Sequence, residues 1–181
     1  MSRWHKELDR VEWTALRVSH GPATSVPEAL ISLRESPSID VGWTEYWKLD
    51  NSIVIQGNLF SAAEPAIPFI LELAIDHEDH VRMLALELLI QVGGGMTHAI
   101  ELEQGNDDLH VRCREAVGKG LAFFYALLES PSEEVRDRAV EIIGLIENDT
   151  ARKAWTMQWV ATNDPSEKTR DLAVQIARES F

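Results

Sequence analysis

Apolar residues recur along this chain at helical spacing, with little strand alternation. Val81, Ala85, Leu88, Leu89 and Val92 fall at i, i+4, i+7, i+8 and i+11, and Val135, Ala139, Ile142, Ile143 and Ile146 repeat that spacing. Such a set lines one face of an α-helix. Thr169, Ala173, Ile176, Ala177 and Ser180 form a third, weaker copy. The copies open on polar starts at Asp76, Ser130 and Asp164, and lie 54 and then 34 residues apart. Ser130 and Asp164 are expected as N-caps, with proline at the first helical position and Glu133 or Glu167 three residues on, as in a capping box. Asp76 and Asp79 hold those places in the first copy.

A further apolar helix precedes each copy, over 66–75, 120–129 and 154–161. An earlier pair follows from a helix over 27–35, a turn at Ser36-Pro37-Ser38 and a helix over 52–64 carrying Ile55, Leu59, Ala62 and Ala63. An N-terminal helix over 3–17 completes the expectation. The chain therefore reads as one all-α domain, 1–181, built as an α-solenoid of about four helix pairs over 21–64, 65–95, 109–147 and 150–181. A weak last copy suits a capping repeat with one face in solvent. Two insertions interrupt the order. The stretch 39–50 lengthens a turn and carries Trp43, Tyr46 and Trp47; the stretch 93–108 carries three glycines and then Glu101, Glu103, Asp107 and Asp108. His110-Val111-Arg112 echoes His80-Val81-Arg82 as a partial extra copy.

These V-R-x-x-A helices resemble HEAT or armadillo-type repeats. The run Ile55-Gln56-Gly57-Asn58-Leu59-Phe60-Ser61-Ala62-Ala63-Glu64-Pro65-Ala66-Ile67-Pro68-Phe69 resembles a segment of a group of bacterial HEAT-repeat proteins, with Ile55 standing where the group has His. Cys113-Arg114-Glu115-Ala116-Val117 is similar to the same group, and the likeness spans most of 45–147. The resemblance implies a right-handed solenoid serving as an interaction scaffold, with immunity proteins of polymorphic toxin systems among its members.

Charge narrows the choice of partner. The 181 residues hold 30 Asp and Glu against 17 Lys and Arg, a net charge of −13. Residues 64–149 alone hold 18 acidic and six basic side chains, so nearly all the excess sits in the middle of the array. That balance argues against nucleic acid, whose phosphates need clustered cations. It leaves two readings, a solvated helical face or a docking surface for a basic protein. On the helix from Val135 the stripe leaves Glu134, Asp137 and Glu141 on the opposite side; Glu87 and Asp171 are equivalent on the other second helices. Glu101, Glu103, Asp107 and Asp108 would extend this row. Trp43, Tyr46 and Trp47 are the other candidates for partner contact, because such aromatics dominate interface hot spots.

Candidate chemistry is sparse. No phosphate loop, dinucleotide fingerprint or nucleophile elbow is present, and Gly93-Gly94-Gly95 reads as a helix stop. Asp76-His77-Glu78-Asp79-His80 reads as a helix start with incidental histidines, so no metal site is expected. Cys113, the one cysteine, is expected as a small core residue despite His110 three positions away. Arg82, Arg136 and Arg170 suggest a ladder in which each arginine reaches the acidic turn of a neighbouring unit. Trp155 and Trp159 are expected to fill the core against the last helix. No apolar run approaches the ~18 residues of a membrane span, and the charged N-terminus lacks a secretory stretch, so a cytoplasmic protein is expected. With no catalytic set, the resemblance and the acidic segment together make the expectation a non-enzymatic inhibitor of a cognate toxin, without a cofactor; if that toxin is nuclease-like, its phosphate-binding cleft would be basic. The alternatives are a general scaffold or assembly factor and, against the charge, a helical-repeat DNA glycosylase.

Overall fold

A computed structural model describes residues 3–77 and 79–179, and these are mostly helical. The order begins with helix α1 (Arg3–Leu8), a 3-10 turn (Trp13–Ala15) and a short antiparallel ribbon of β1 (Arg17–Val18) and β2 (Gly21–Pro22). Helices α2 (Val26–Arg34) and α3 (Ile39–Ile53) follow, then β3 (Val54–Ile55) and β4 (Asn58–Leu59). Next come α4 (Ala63–Asp76), α5 (His80–Gly94), β5 (Met96–Thr97), α6 (Ala99–Glu103), α7 (Leu109–Gly118) and α8 (Leu121–Leu127). Helices α9 (Glu133–Ile146), α10 (Thr150–Asn163) and α11 (Glu167–Glu179) end the order. β3 pairs antiparallel with β4, which pairs parallel with β5.

The stripes on α5 and α9 are buried along their whole length, and Thr169 and Ala173 are buried on α11. Ser180 and Glu78 lie outside the described residues. The helices pack as α2 on α3, α4 on α5, α8 on α9 and α10 on α11, and the second members touch in turn, α3 to α5 to α9 to α11. α7 packs on α4 and α5. The core runs through these contacts, with Leu30, Ile67, Ile70, Leu84, Leu88 and Phe124 fully buried.

Four local expectations are corrected. The N-terminal helix stops at Leu8 rather than reaching 17, because the Trp13 indole N–H donates to the Leu8 carbonyl at 2.9 Å and closes the helix end. The 39–50 stretch is no irregular turn: it is the body of α3, capped by Ser38, whose hydroxyl accepts from the Val41 N–H at 3.4 Å. The helix expected over 52–64 is replaced by the β3–β4 hairpin, because Gln56 (φ 48°) and Gly57 (φ 76°) set the two successive left-handed residues of a tight primed turn. The caps of the repeated helices sit later than expected, on Asp79, Ser132 and Ser166, which accept from Val81, Val135 and Thr169. Ser130 and Asp164 instead accept from the N–H of Ser132 and Ser166, so each proline lies inside a turn that leads into the cap.

Gly42 explains how α3 comes so near α5. A Cβ there would stand 2.6 Å from Leu84 Cδ1 and 3.1 Å from the His80 ring.

Candidate partner-binding groove

The site is built on the second helices. On α3, residues 39, 43 and 47 follow one another at one-turn spacing, and Ile39, Trp43 and Trp47 all lie exposed, Trp43 by 38% and Trp47 by 52%. Tyr46 turns inward between them and is buried. The Trp43 and Trp47 rings stack at 6.0 Å, and Tyr46 meets each edge-on at 5.0 Å. Burial pushes the Tyr46 hydroxyl above its ordinary range, helped by Asp50, which accepts from it at 3.5 Å.

Trp43 from α3 and Lys168 from α11 line one hollow of about 500 Å³, together with Met83, Leu84 and Glu87 of α5 and Glu134 and Arg138 of α9. A wider hollow of about 910 Å³ continues it between α9 and α11, past Glu133, Asp137, Glu141, Glu167 and Asp171. The two share Arg138 and Lys168, so they form one groove with an aromatic end and an acidic end. Seven carboxylates line it against those two cations. Both cations are already engaged, Arg138 with Glu87 and Lys168 with Asp137, each at 2.6 Å. Among the described residues the side chains of Glu134, Glu141 and Asp171 make no ion pair or hydrogen bond. Burial raises the Glu141 carboxyl, and Glu87 and Asp137 add to this against the opposing pull of Arg138 and Lys168.

The structure brings together Trp43, Glu87, Glu134, Asp137, Glu141 and Asp171, with Tyr46 and Trp47 beside Trp43. Asp137 departs from the expected exposed row: it is 1% exposed, accepting from the Thr169 hydroxyl at 2.6 Å and holding Lys168, so it ties α9 to α11 from the groove floor. The acidic insertion lies elsewhere. Glu101 is fully buried, accepting from the Arg17 guanidinium at 2.7 and 3.1 Å, from Asn106 and from the Ser61 N–H. Burial alone would raise its carboxyl, but these donors outweigh it and hold it low. Glu103 and Asp107 are exposed beside it, and Asp108 is tied to Arg112. None of these four lines the groove. Arg138 and Asp50, not singled out from the sequence, belong to the site region; the spacing 134, 138, 141 on one helix face was the available signal.

The arginine ladder holds at one rung. Arg136 reaches the Asp164 carboxylate of the next turn with two bonds of 2.8 and 3.1 Å, and also donates to the Ser130 carbonyl. Arg82 instead donates to the Ala74 and Ile75 carbonyls, and Arg170 to that of Asp164, so both stay within their own turns. Trp155 and Trp159 do not fill the core: Trp155 is 65% exposed, and Thr156, Met157 and Val160 supply the buried face of α10. Cys113 is fully buried, and burial pushes its thiol up to about 12, far from a nucleophile's range. His110 faces Thr97. His80 meets Ser36 and His77 lies by Asp79, and among the described residues no three His, Cys, Asp or Glu side chains converge as a metal set. Among the described residues no helix is long and apolar enough to cross a membrane. Comparison of the chain with protein-family models, with curated proteins and with solved structures finds no match.

Proposed function

We propose that this chain is a HEAT-like α-solenoid acting as a non-enzymatic protein-binding module, and that its groove takes a basic protein. The observation that carries this reading is that Trp43, with Trp47 stacked beside it, shares a hollow with unpaired Glu134, and that this hollow adjoins the one lined by unpaired Glu141 and Asp171. The successive contacts of α3, α5, α9 and α11 support a solenoid order, in which the second helices line the inner surface. Half-exposed tryptophans supply hot-spot area, and unpaired carboxylates attract a cationic partner and speed its docking. The buried, hard-to-ionise thiol of Cys113 favours binding over nucleophilic chemistry. The resemblance to bacterial immunity proteins adds that the partner is a toxin whose basic cleft the groove blocks.

The test uses the protein encoded beside this one as partner, with affinity measured over a salt series. Glu134→Lys, Glu141→Lys and Asp171→Lys combined should abolish binding and the rescue of toxin-expressing cells. Unchanged affinity in that variant refutes the groove. Stable association without rescue makes the chain a scaffold instead.

A further inference from the structure

We infer that the groove reads arginine in preference to lysine on its partner, with the indoles of Trp43 and Trp47 as the platform and Glu134 as the pairing carboxylate. This rests on the docking role proposed above and specifies the chemistry of the docked side chain.

Three observations carry it. First, the chain seats its own guanidinium groups on aromatic rings: Arg34 on Trp4 at 4.9 Å, Arg152 on Tyr125 at 5.5 Å and Arg82 on Phe123 at 5.8 Å. Among the described residues no cation is seated on Trp43 or Trp47, although both indoles are exposed and Trp43 lines a hollow with Glu87 and Glu134. Tryptophan offers the strongest cation–π face, so this platform is unfilled. Second, Trp43 and Glu134 line the same hollow from α3 and α9. A planar guanidinium can lie flat on an indole while its edge offers two parallel N–H groups to a carboxylate. A compact ammonium cannot do both, and it gives up a tighter hydration shell to enter. Third, of the two carboxylates that share the hollow of Trp43, Glu87 is already held by Arg138, so Glu134 is the one left to pair with an incoming cation beside the indole.

The full-length chain should be titrated calorimetrically with two peptides matched in length and charge, one alternating arginine with glycine, the other lysine with glycine. The arginine peptide is expected to bind about twofold to fivefold tighter, the size of a solvent-exposed cation–π contact. Trp43→Ala with Trp47→Ala should erase that preference and leave weak, salt-sensitive binding of both peptides. Both tryptophans are only half-exposed and pack on Tyr46, so the variant should melt somewhat lower but stay folded at the titration temperature, which circular dichroism checks. Trp43→Phe with Trp47→Phe should keep part of the preference. Equal affinity for the two peptides, or a preference that survives the alanine variant, overturns the inference and leaves acidic docking standing. Absence of binding by either peptide also overturns it, and the charge-reversal variant then judges the docking reading on its own.

Discussion

Removing Arg136 should unfold the protein more readily than any surface change, and in a way that depends on pH. Arg136 is a buried guanidinium that bridges α9 to the turn before α11 through two bonds to Asp164. Asp164 is itself buried, and its remaining donor is the Ser166 N–H. Arg136→Met keeps the aliphatic volume but strands that carboxylate and leaves the Ser130 carbonyl without its donor. Breaking a buried pair from one side costs about 3–5 kcal/mol. For a chain of this size each kcal/mol moves the melting temperature by about 2–4 °C, so a fall of at least ~6 °C is expected at neutral pH. Burial opposes ionisation of Asp164, but the bonds from Arg136 and Ser166 win and hold its carboxyl below the usual range. A depressed carboxyl stabilises the fold above its unfolded pKa and loses that contribution as pH falls through the folded one. The parent therefore weakens in acid. The variant, whose stranded Asp164 takes up a proton early, weakens less, and the gap between them should narrow below about pH 4. Urea denaturation across pH gives both quantities. Asp164→Leu combined with Arg136→Met should recover much of the loss. A cost under ~1 kcal/mol, or strictly additive single losses, would sink the argument.

Other consequences follow from the same packing. Gly42→Ala places a methyl 2.6 Å from Leu84 Cδ1, and overpacking of this kind should cost about 1–3 kcal/mol by urea denaturation. Glu141→Gln should raise stability at neutral pH, because a carboxyl raised by burial contributes most below its unfolded pKa and loses that as pH rises through its folded one; the gain should vanish in acid melts. Trp155→Gln should change stability by less than about 0.5 kcal/mol, whereas Trp13→Ala should cost about 3–5 kcal/mol, since the first ring is exposed and the second buried against Phe69. Cys113 should resist thiol reagents at neutral pH until denaturant is added, with the labelling rate tracking unfolding.

The parts of the fold legible in the sequence were those whose signal is long and periodic. The stripes of α5 and α9 run over about three turns, and each of their members is buried. Short signals failed where one residue decided the geometry. Gln56-Gly57 turns a helix-like run into a hairpin, and that pair carries no helical period to contradict it. The tryptophans of α3 and α10 have identical i, i+4 spacing, yet both pairs end up exposed, because Tyr46 and Leu49 take the inner face of α3 and Met157 and Val160 that of α10. Spacing says which residues share a face; only neighbouring helices say whether that face is covered. The same limit separated Asp137 from Glu134 and Glu141, and it sent Glu101 inside to meet Arg17, a partner 84 residues away.

Trp43 on α3 and Lys168 on α11 border one hollow, although α5 and α9 stand between their helices. No single helix pair therefore forms the whole hollow. The last pair is held by Arg136, Asp137 and the packing of α11 on α9. Fraying of that pair would take the acidic end of the groove with it, so a partner bound there as proposed would oppose the fraying by mass action. On that proposal, groove occupancy and closure of the C-terminal helices are coupled, and partner binding should slow amide exchange in α11 more than in α5.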